Sequence, residues 1–169
     1  ARLRRRCCGD RGIHARVAGM SAPNNRIEIL HGVNLRQLGR RPAEHYGTLT
    51  LDQLEQQIEA DASRLGLATS FFQTNHEGVY VEQLHALDGV AGGVILNPGA
   101  WTHYSWAIRD ALELCGLPAV EVHLSDINAR EEFRKKSVIS DLCIATISGK
   151  GPAGYTEALG LLASELGAA

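Results

Sequence analysis

Five short apolar runs, separated by segments with helical periodicity, constrain the architecture of this chain more than any single residue does. The runs cover residues 27–30, 69–72, 93–96, 119–124 and 142–147. Between them the clearest helical pattern spans residues 51–65, where Leu51, Leu54, Ile58, Ala62 and Leu65 share one stripe. Thr50 and Gln53 form a T-x-x-Q capping box at its start. Weaker helices are predicted over 79–87, 105–115, 130–136 and 155–166, the last with Leu159, Leu162 and Leu166 on its inner face. Strands joined through helices must run parallel, and a parallel sheet needs cover on both sides.

The expected fold class is therefore α/β, a flavodoxin-like three-layer fold with a five-stranded parallel sheet. At 169 residues the chain is long enough for one domain with a sizeable core. The predicted boundaries are a basic N-terminal extension, 1–25, and a single domain, 26–169. Residues 1–16 hold Arg2, Arg4, Arg5, Arg6, Arg11 and Arg16 against Asp10 alone. That is +5, leaving −7 on the rest of a chain whose total is −2. An arginine run of this kind is a nucleic-acid arm, a targeting peptide or a disordered tail. Met20, which begins MSAPNNRIEIL, favours a natural start there, with 1–19 lying upstream of the folded unit. No apolar run approaches the length of a membrane span. Cys7, Cys8, Cys115 and Cys143 show neither metal spacing nor a disulfide framework. A cytoplasmic setting fits that usage, with no nucleic-acid or membrane partner expected.

Chemistry concentrates between residues 94 and 134. In AVEVHLSD, Glu121, His123 and Ser125 alternate with Val120, Val122 and Leu124, so on a strand the polar three share one face. A buried parallel strand is ordinarily apolar on both faces, and a polar stripe there costs folding free energy. A histidine beside a carboxylate has its tautomer fixed and can act as a general acid. A structural carboxylate bonded to backbone is the alternative. Asn97 closes an apolar run and His103 follows six residues later, across a turn that leads to a predicted helix start suited to an anion. A plain Asn-Pro turn is the rival there. Arg130 and Arg134 sit one helical turn apart, either as anion partners or as a solvated face paired with Glu131 and Glu132.

The long segment 32–48 holds Arg36, Arg40, Arg41 and Tyr46 at the carboxyl end of the first strand, where open α/β sheets bind ligands. A tyrosine acting as a base near neutral pH needs its pKa lowered by about 3 units, roughly 4 kcal/mol of phenolate stabilisation. Close arginines in a dehydrated loop would supply that. A packing role is the ordinary reading of a loop tyrosine. The G-x-G-x-x-G match at 149–154 leaves only 15 residues after it, too few to complete a dinucleotide site. His76-Glu77 opens a zinc-protease motif that Tyr80 breaks. No metal or cofactor is expected.

Taken together these residues resemble the type II 3-dehydroquinate dehydratases. The motifs are Asn34-Leu35, Arg41-x4-Tyr46-Gly47, QTNHEG at 73–78, LNPGAWTH-x5-RD at 96–110, EVHLSD at 121–126 and AREEFR at 129–134. The match spans nearly everything after Met20. It implies reversible dehydration of 3-dehydroquinate to 3-dehydroshikimate through an enolate, in the shikimate pathway of aromatic amino acid biosynthesis or in quinate catabolism. It also implies a homo-oligomer, a dodecamer built from trimers. A flavodoxin-like nucleotide- or phosphate-binding module using 149–154 is the non-enzymatic alternative.

By the same resemblance, Tyr46 matches the base and Arg41 its partner on a mobile lid. Asn34 matches a residue that helps hold a water near the enolate. His123 matches the acid that protonates the departing hydroxyl, oriented by Glu121. Substrate binding falls on Asn97, His103, Leu124, Ser125 and Arg134, with Arg130 near the base. Asp110 matches an aspartate that reaches a neighbouring subunit's site. The chain departs from the family pattern at His31 and Val33 (N-G-P-N-L in the family), at Pro42 directly after Arg41, at Asp126, and within 135–138.

Overall fold

A computed structural model describes residues 24–40 and 48–168. Its strands are β1 (Arg26–His31), β2 (Ala68–Gln73), β3 (Gly93–Asn97), β4 (Ala119–His123) and β5 (Ala145–Ser148). They form one parallel sheet in the order β2-β1-β3-β4-β5, so the chain runs outward from β1 in one direction and from β3 in the other. Among the described residues four α-helices cover it: α1 (Leu51–Arg64), α2 (Glu77–His85), α3 (Trp106–Cys115) and α4 (Ala153–Glu165). The flavodoxin-like expectation holds in strand order and in layering.

Two apolar layers follow from the period of each element. Leu51, Leu54, Ile58 and Ala62 of α1 join Tyr155, Ala158, Leu159 and Leu162 of α4 against Ile27, Ile29, Ile95, Val120 and Val122. Tyr80 and Leu84 of α2 join Ile108, Ala111 and Leu112 of α3 against Leu30, Val94, Leu96 and Ala119 on the opposite face. Each aliphatic side chain fully withdrawn from water contributes roughly 1.5–3 kcal/mol. The reversal of strand order between β1 and β3 opens a crevice at the carboxyl ends of these strands, which is the position of ligands in open α/β sheets.

Two sequence expectations differ from the structure. Residues 142–144 are not strand: Ser140–Leu142 is a 3-10 turn, and β5 begins at Ala145. Asp141, paired with Arg109, ties that turn to α3 before the chain enters the sheet. Residues 130–136 are not an α-helix either. Arg130 is extended (φ −103°, ψ −171°), between 3-10 turns Ile127–Ala129 and Glu132–Arg134. This stretch carries charges but no apolar stripe to bury, so nothing stabilises a helix there.

The capping box at α1 is present in full. The Thr50 hydroxyl accepts from the Gln53 amide at 3.3 Å, and the Gln53 side chain accepts from the Thr50 amide at 3.0 Å. Thr50→Ala should lower unfolding free energy by about 1 kcal/mol, read as an earlier midpoint in chemical denaturation. An unchanged midpoint would mean the cap contributes nothing here.

Candidate active site

The crevice forms because two chain segments approach unusually closely at the ends of β1 and β3. The Gly32 amide donates to the Asn97 carbonyl at 2.8 Å. A Cβ at Gly32 would lie 2.2 Å from the Pro98 carbonyl oxygen, so only glycine permits this contact. Gly99 (φ +67°) faces Val33 in the same way. Asn34 follows in the left-handed region at φ 67°, which asparagine tolerates better than most residues. Its amide donates to the Asn75 side chain at 2.8 Å, while Gln73 donates to the Gly32 carbonyl at 3.2 Å. The QTNHEG segment thus braces the loop that presents Asn34.

A cavity of about 120 Å³ sits over these strand ends. The structure brings eight of the sequence-predicted residues to its walls: Asn34, Asn97, His103, His123, Leu124, Ser125, Arg130 and Arg134. Among the described residues, Val33, Leu35, Gly99, Ala100 and Ile127 also line it; Leu35, Gly99 and Ala100 lie within the quoted motifs, but none was singled out as a site residue. Arg41 and Tyr46 lie outside the described residues. Asp110 is exposed on α3 and does not line the cavity. Arg130 and Arg134 reach the cavity without the predicted helix. Both also pair with Glu131, at 3.4 Å and 3.0 Å, while Glu132 pairs with Lys135.

Glu121 lies directly beneath His123 and is fully buried. Its Oε1 is 2.7 Å from His123 Nε2. The Thr102 hydroxyl donates to the same oxygen, the Ser137 hydroxyl donates to Oε2 at 2.8 Å, and the Thr146 hydroxyl donates to Oε2 at 3.2 Å. Sequence reading missed these three. Thr146 is the register partner of Glu121 on β5. Burial acts to raise the Glu121 pKa, but the His123 bond and charge, with the Thr102 and Ser137 hydroxyls, outweigh it and hold the carboxyl below its ordinary value. An ionised Glu121 accepts only, so His123 Nε2 carries hydrogen and Nδ1 is left for the cavity.

His103 stacks on His123 with ring centroids 6.5 Å apart. Its Nδ1 donates to the Lys136 carbonyl at 2.8 Å, which leaves Nε2 as an acceptor. Burial first, then the nearby His123 and Arg134, lower its pKa against the opposing Lys136 bond, favouring the neutral ring. The site therefore combines an imidazole held at Nε2 by a buried carboxylate, a neutral imidazole acceptor and two guanidinium groups. That set suits acid catalysis on a hydroxylated anion.

The family model described as "Dehydroquinase class II" matches residues 25–163. The chain belongs to the class II dehydroquinases. Within this family, the 3-dehydroquinate dehydratase of Thermotoga neapolitana is 49% identical over 79% of this chain and 91% of its own length. That of Bacillus cytotoxicus is 44% identical over 85% and 99%. The type II dehydroquinase crystal structure from Propionibacterium acnes superposes with a TM-score of 0.80 at 42% identity, covering 85% of this chain and 99% of that one.

In this chain the glycine-rich segment Gly149–Gly154 is occupied structurally. The Gly149 and Gly151 amides donate to the carbonyls of His123 and Leu124 at 3.2 Å and 3.1 Å, sealing the end of β4. Two of the amides a phosphate cradle would use are therefore spent.

His31, at the end of β1, is fully buried, and burial first, then Arg36, pushes its pKa down from 6.5 to about 3. The depressed native value means its stability contribution is complete above pH 6.5 and is lost as pH falls towards 3. Acidification across that window should cost up to about 1.4 kcal/mol per pH unit from this residue. His31→Asn should flatten that slope in denaturation at stepped pH. An unaltered slope would mean His31 is not the group responsible.

Proposed function

We propose that this chain catalyses the reversible dehydration of 3-dehydroquinate to 3-dehydroshikimate. The observation that carries the reading is the His123–Glu121 pair at 2.7 Å, opening onto a cavity lined by Asn34, Asn97, His103, Ser125 and Arg134. Relatives named 3-dehydroquinate dehydratase, 44–49% identical to this chain, support it.

Tyr46, as phenolate stabilised by Arg41, removes a proton from the carbon next to the substrate ketone. The released electron pair moves onto the ketone oxygen as an enolate, with a water held near it by Asn34. His123, protonated at Nδ1, gives that proton to the hydroxyl two carbons from the ketone carbon. The enolate collapses, the carbon–oxygen bond breaks, water leaves, and a conjugated enone remains. Tyr46 ends protonated and His123 neutral, so a proton returns from one to the other through solvent before the next turnover. Glu121 stabilises the imidazolium and fixes its tautomer. Neutral His103 accepts from a substrate hydroxyl. Asn97, Leu124 and Ser125 hold the carboxylate side, and Arg134 holds a remaining hydroxyl.

The proposal extends to the setting: aromatic amino acid biosynthesis through the shikimate pathway, in a cytoplasmic homo-oligomer, a dodecamer of trimers. Tyr104, Trp106 and Leu114 are exposed on and beside α3, around Asp110. That supports a second copy covering this face and Asp110 serving its site.

Enone absorbance on mixing with 3-dehydroquinate tests the reading. Tyr46→Phe and His123→Ala should each lower kcat by at least about 100-fold. In D2O, His123→Ala should still exchange the proton next to the ketone, while Tyr46→Phe should not. Turnover at the wild-type rate in either variant would remove that residue from its assigned role.

A further inference from the structure

Beneath the cavity, on the side of the sheet opposite Glu121, lies a second buried polar chain, of which only Asn97 has a part in the reaction above. Asn97 Nδ2 donates to the Tyr155 hydroxyl at 3.0 Å. The Tyr155 oxygen is 3.4 Å from His31 Nδ1. Tyr155 and His31 are fully buried and Asn97 nearly so, at 4% exposure. His31 Nε2 lies 3.7 Å from Glu55 Oε1 on α1, too far for a hydrogen bond, and has no other polar partner among the described residues.

The direction of this chain follows from its far end. Burial keeps His31 neutral, so one ring nitrogen carries hydrogen and the other a lone pair. A lone pair aimed at the Glu55 carboxylate would be repelled, whereas an N–H is attracted. Hydrogen therefore sits on Nε2, and Nδ1 accepts from the Tyr155 hydroxyl. With its proton committed to His31, the Tyr155 oxygen can only accept, and the group on Asn97 that faces it must be the amide nitrogen. The Asn97 carbonyl oxygen and its second amide hydrogen are left for the cavity.

We infer that Tyr155 and His31 are positioning residues, which hold the Asn97 carboxamide in a single orientation at the cavity floor. The consequence is selectivity for a ligand that offers a matching donor and acceptor there, such as a carbon bearing both hydroxyl and carboxylate. The inference rests on the cavity being the 3-dehydroquinate site. Without the relay the carboxamide can rotate by half a turn, and returning it to the matched orientation costs the ligand about one hydrogen bond. Neither residue touches the reacting atoms, so binding should suffer and chemistry should not.

Steady-state kinetics on 3-dehydroquinate test this with Tyr155→Phe, His31→Leu and His31→Asn. The loss of one buried hydrogen bond should raise KM about tenfold in Tyr155→Phe and His31→Leu, with kcat within about threefold of wild type. His31→Asn places an acceptor oxygen near the position of Nδ1 and should restore KM. An unchanged KM in Tyr155→Phe, or His31→Asn as impaired as His31→Leu, would overturn the inference. A ligand-free readout separates it from the assignment of the reaction. In protein labelled with 15N-asparagine, the Asn97 side-chain amide should be protected from solvent exchange in the wild type and lose that protection in Tyr155→Phe. Equal exchange in both would overturn the relay whatever the wild type does with 3-dehydroquinate. Absence of turnover in the wild type, with protection present, would count against the reaction alone.

Discussion

A carboxylate with no access to water, in the middle of a parallel strand, is the constraint around which this site is built. Burying the charge of Glu121 without partners would be prohibitive, and removing one partner of such a group costs about 3–5 kcal/mol. The chain meets this by converging four side chains on two oxygens: His123 from β4 itself, Thr102 from the turn after β3, Ser137 from the segment after the arginine turns, and Thr146 from β5. Each donor belongs to a different element, so satisfying the carboxylate also fixes where those elements end. His123 is the only donor of the four that lines the cavity. The group that stabilises the buried charge is therefore also the group that faces the cavity.

The fold contributes the crevice into which that imidazole opens. Reversal of strand order between β1 and β3 separates the loops that follow them, and the close backbone approach at Gly32 and Gly99 shapes its floor. The two faces of the sheet then supply different services at one opening. The α2–α3 side holds the Glu121 network that carries charge and a proton. The α1–α4 side holds the neutral Asn97–Tyr155–His31 chain. Separating them by a sheet keeps the polar chain at His31 away from the carboxylate that needs its partners undivided.

Strands and helices were legible in the sequence wherever burial imposed a period. The α1 stripe and its capping box are the clearest case. Glu121 and His123 stood out because polar residues inside an apolar strand demand compensation. What compensates them was not legible. Thr102, Ser137 and Thr146 lie 19, 16 and 25 residues away, and His31 meets Tyr155 across 124. Local spacing carries no information about such pairings. Residues 130–136 misled for a related reason: helical spacing of charges says nothing about whether a face is buried. The arginines reach the cavity wall from an extended residue and a 3-10 turn, without the predicted helix.

The most direct test is the kcat for enone formation by Glu121→Gln, which keeps the shape of the side chain and removes its charge. If the buried carboxylate holds and charges His123 for proton delivery, kcat falls by at least about 100-fold while KM stays within a few-fold and the protein remains folded. A folded Glu121→Gln protein that turns over at the wild-type rate would show that the carboxylate is structural, and that His123 does not act through it.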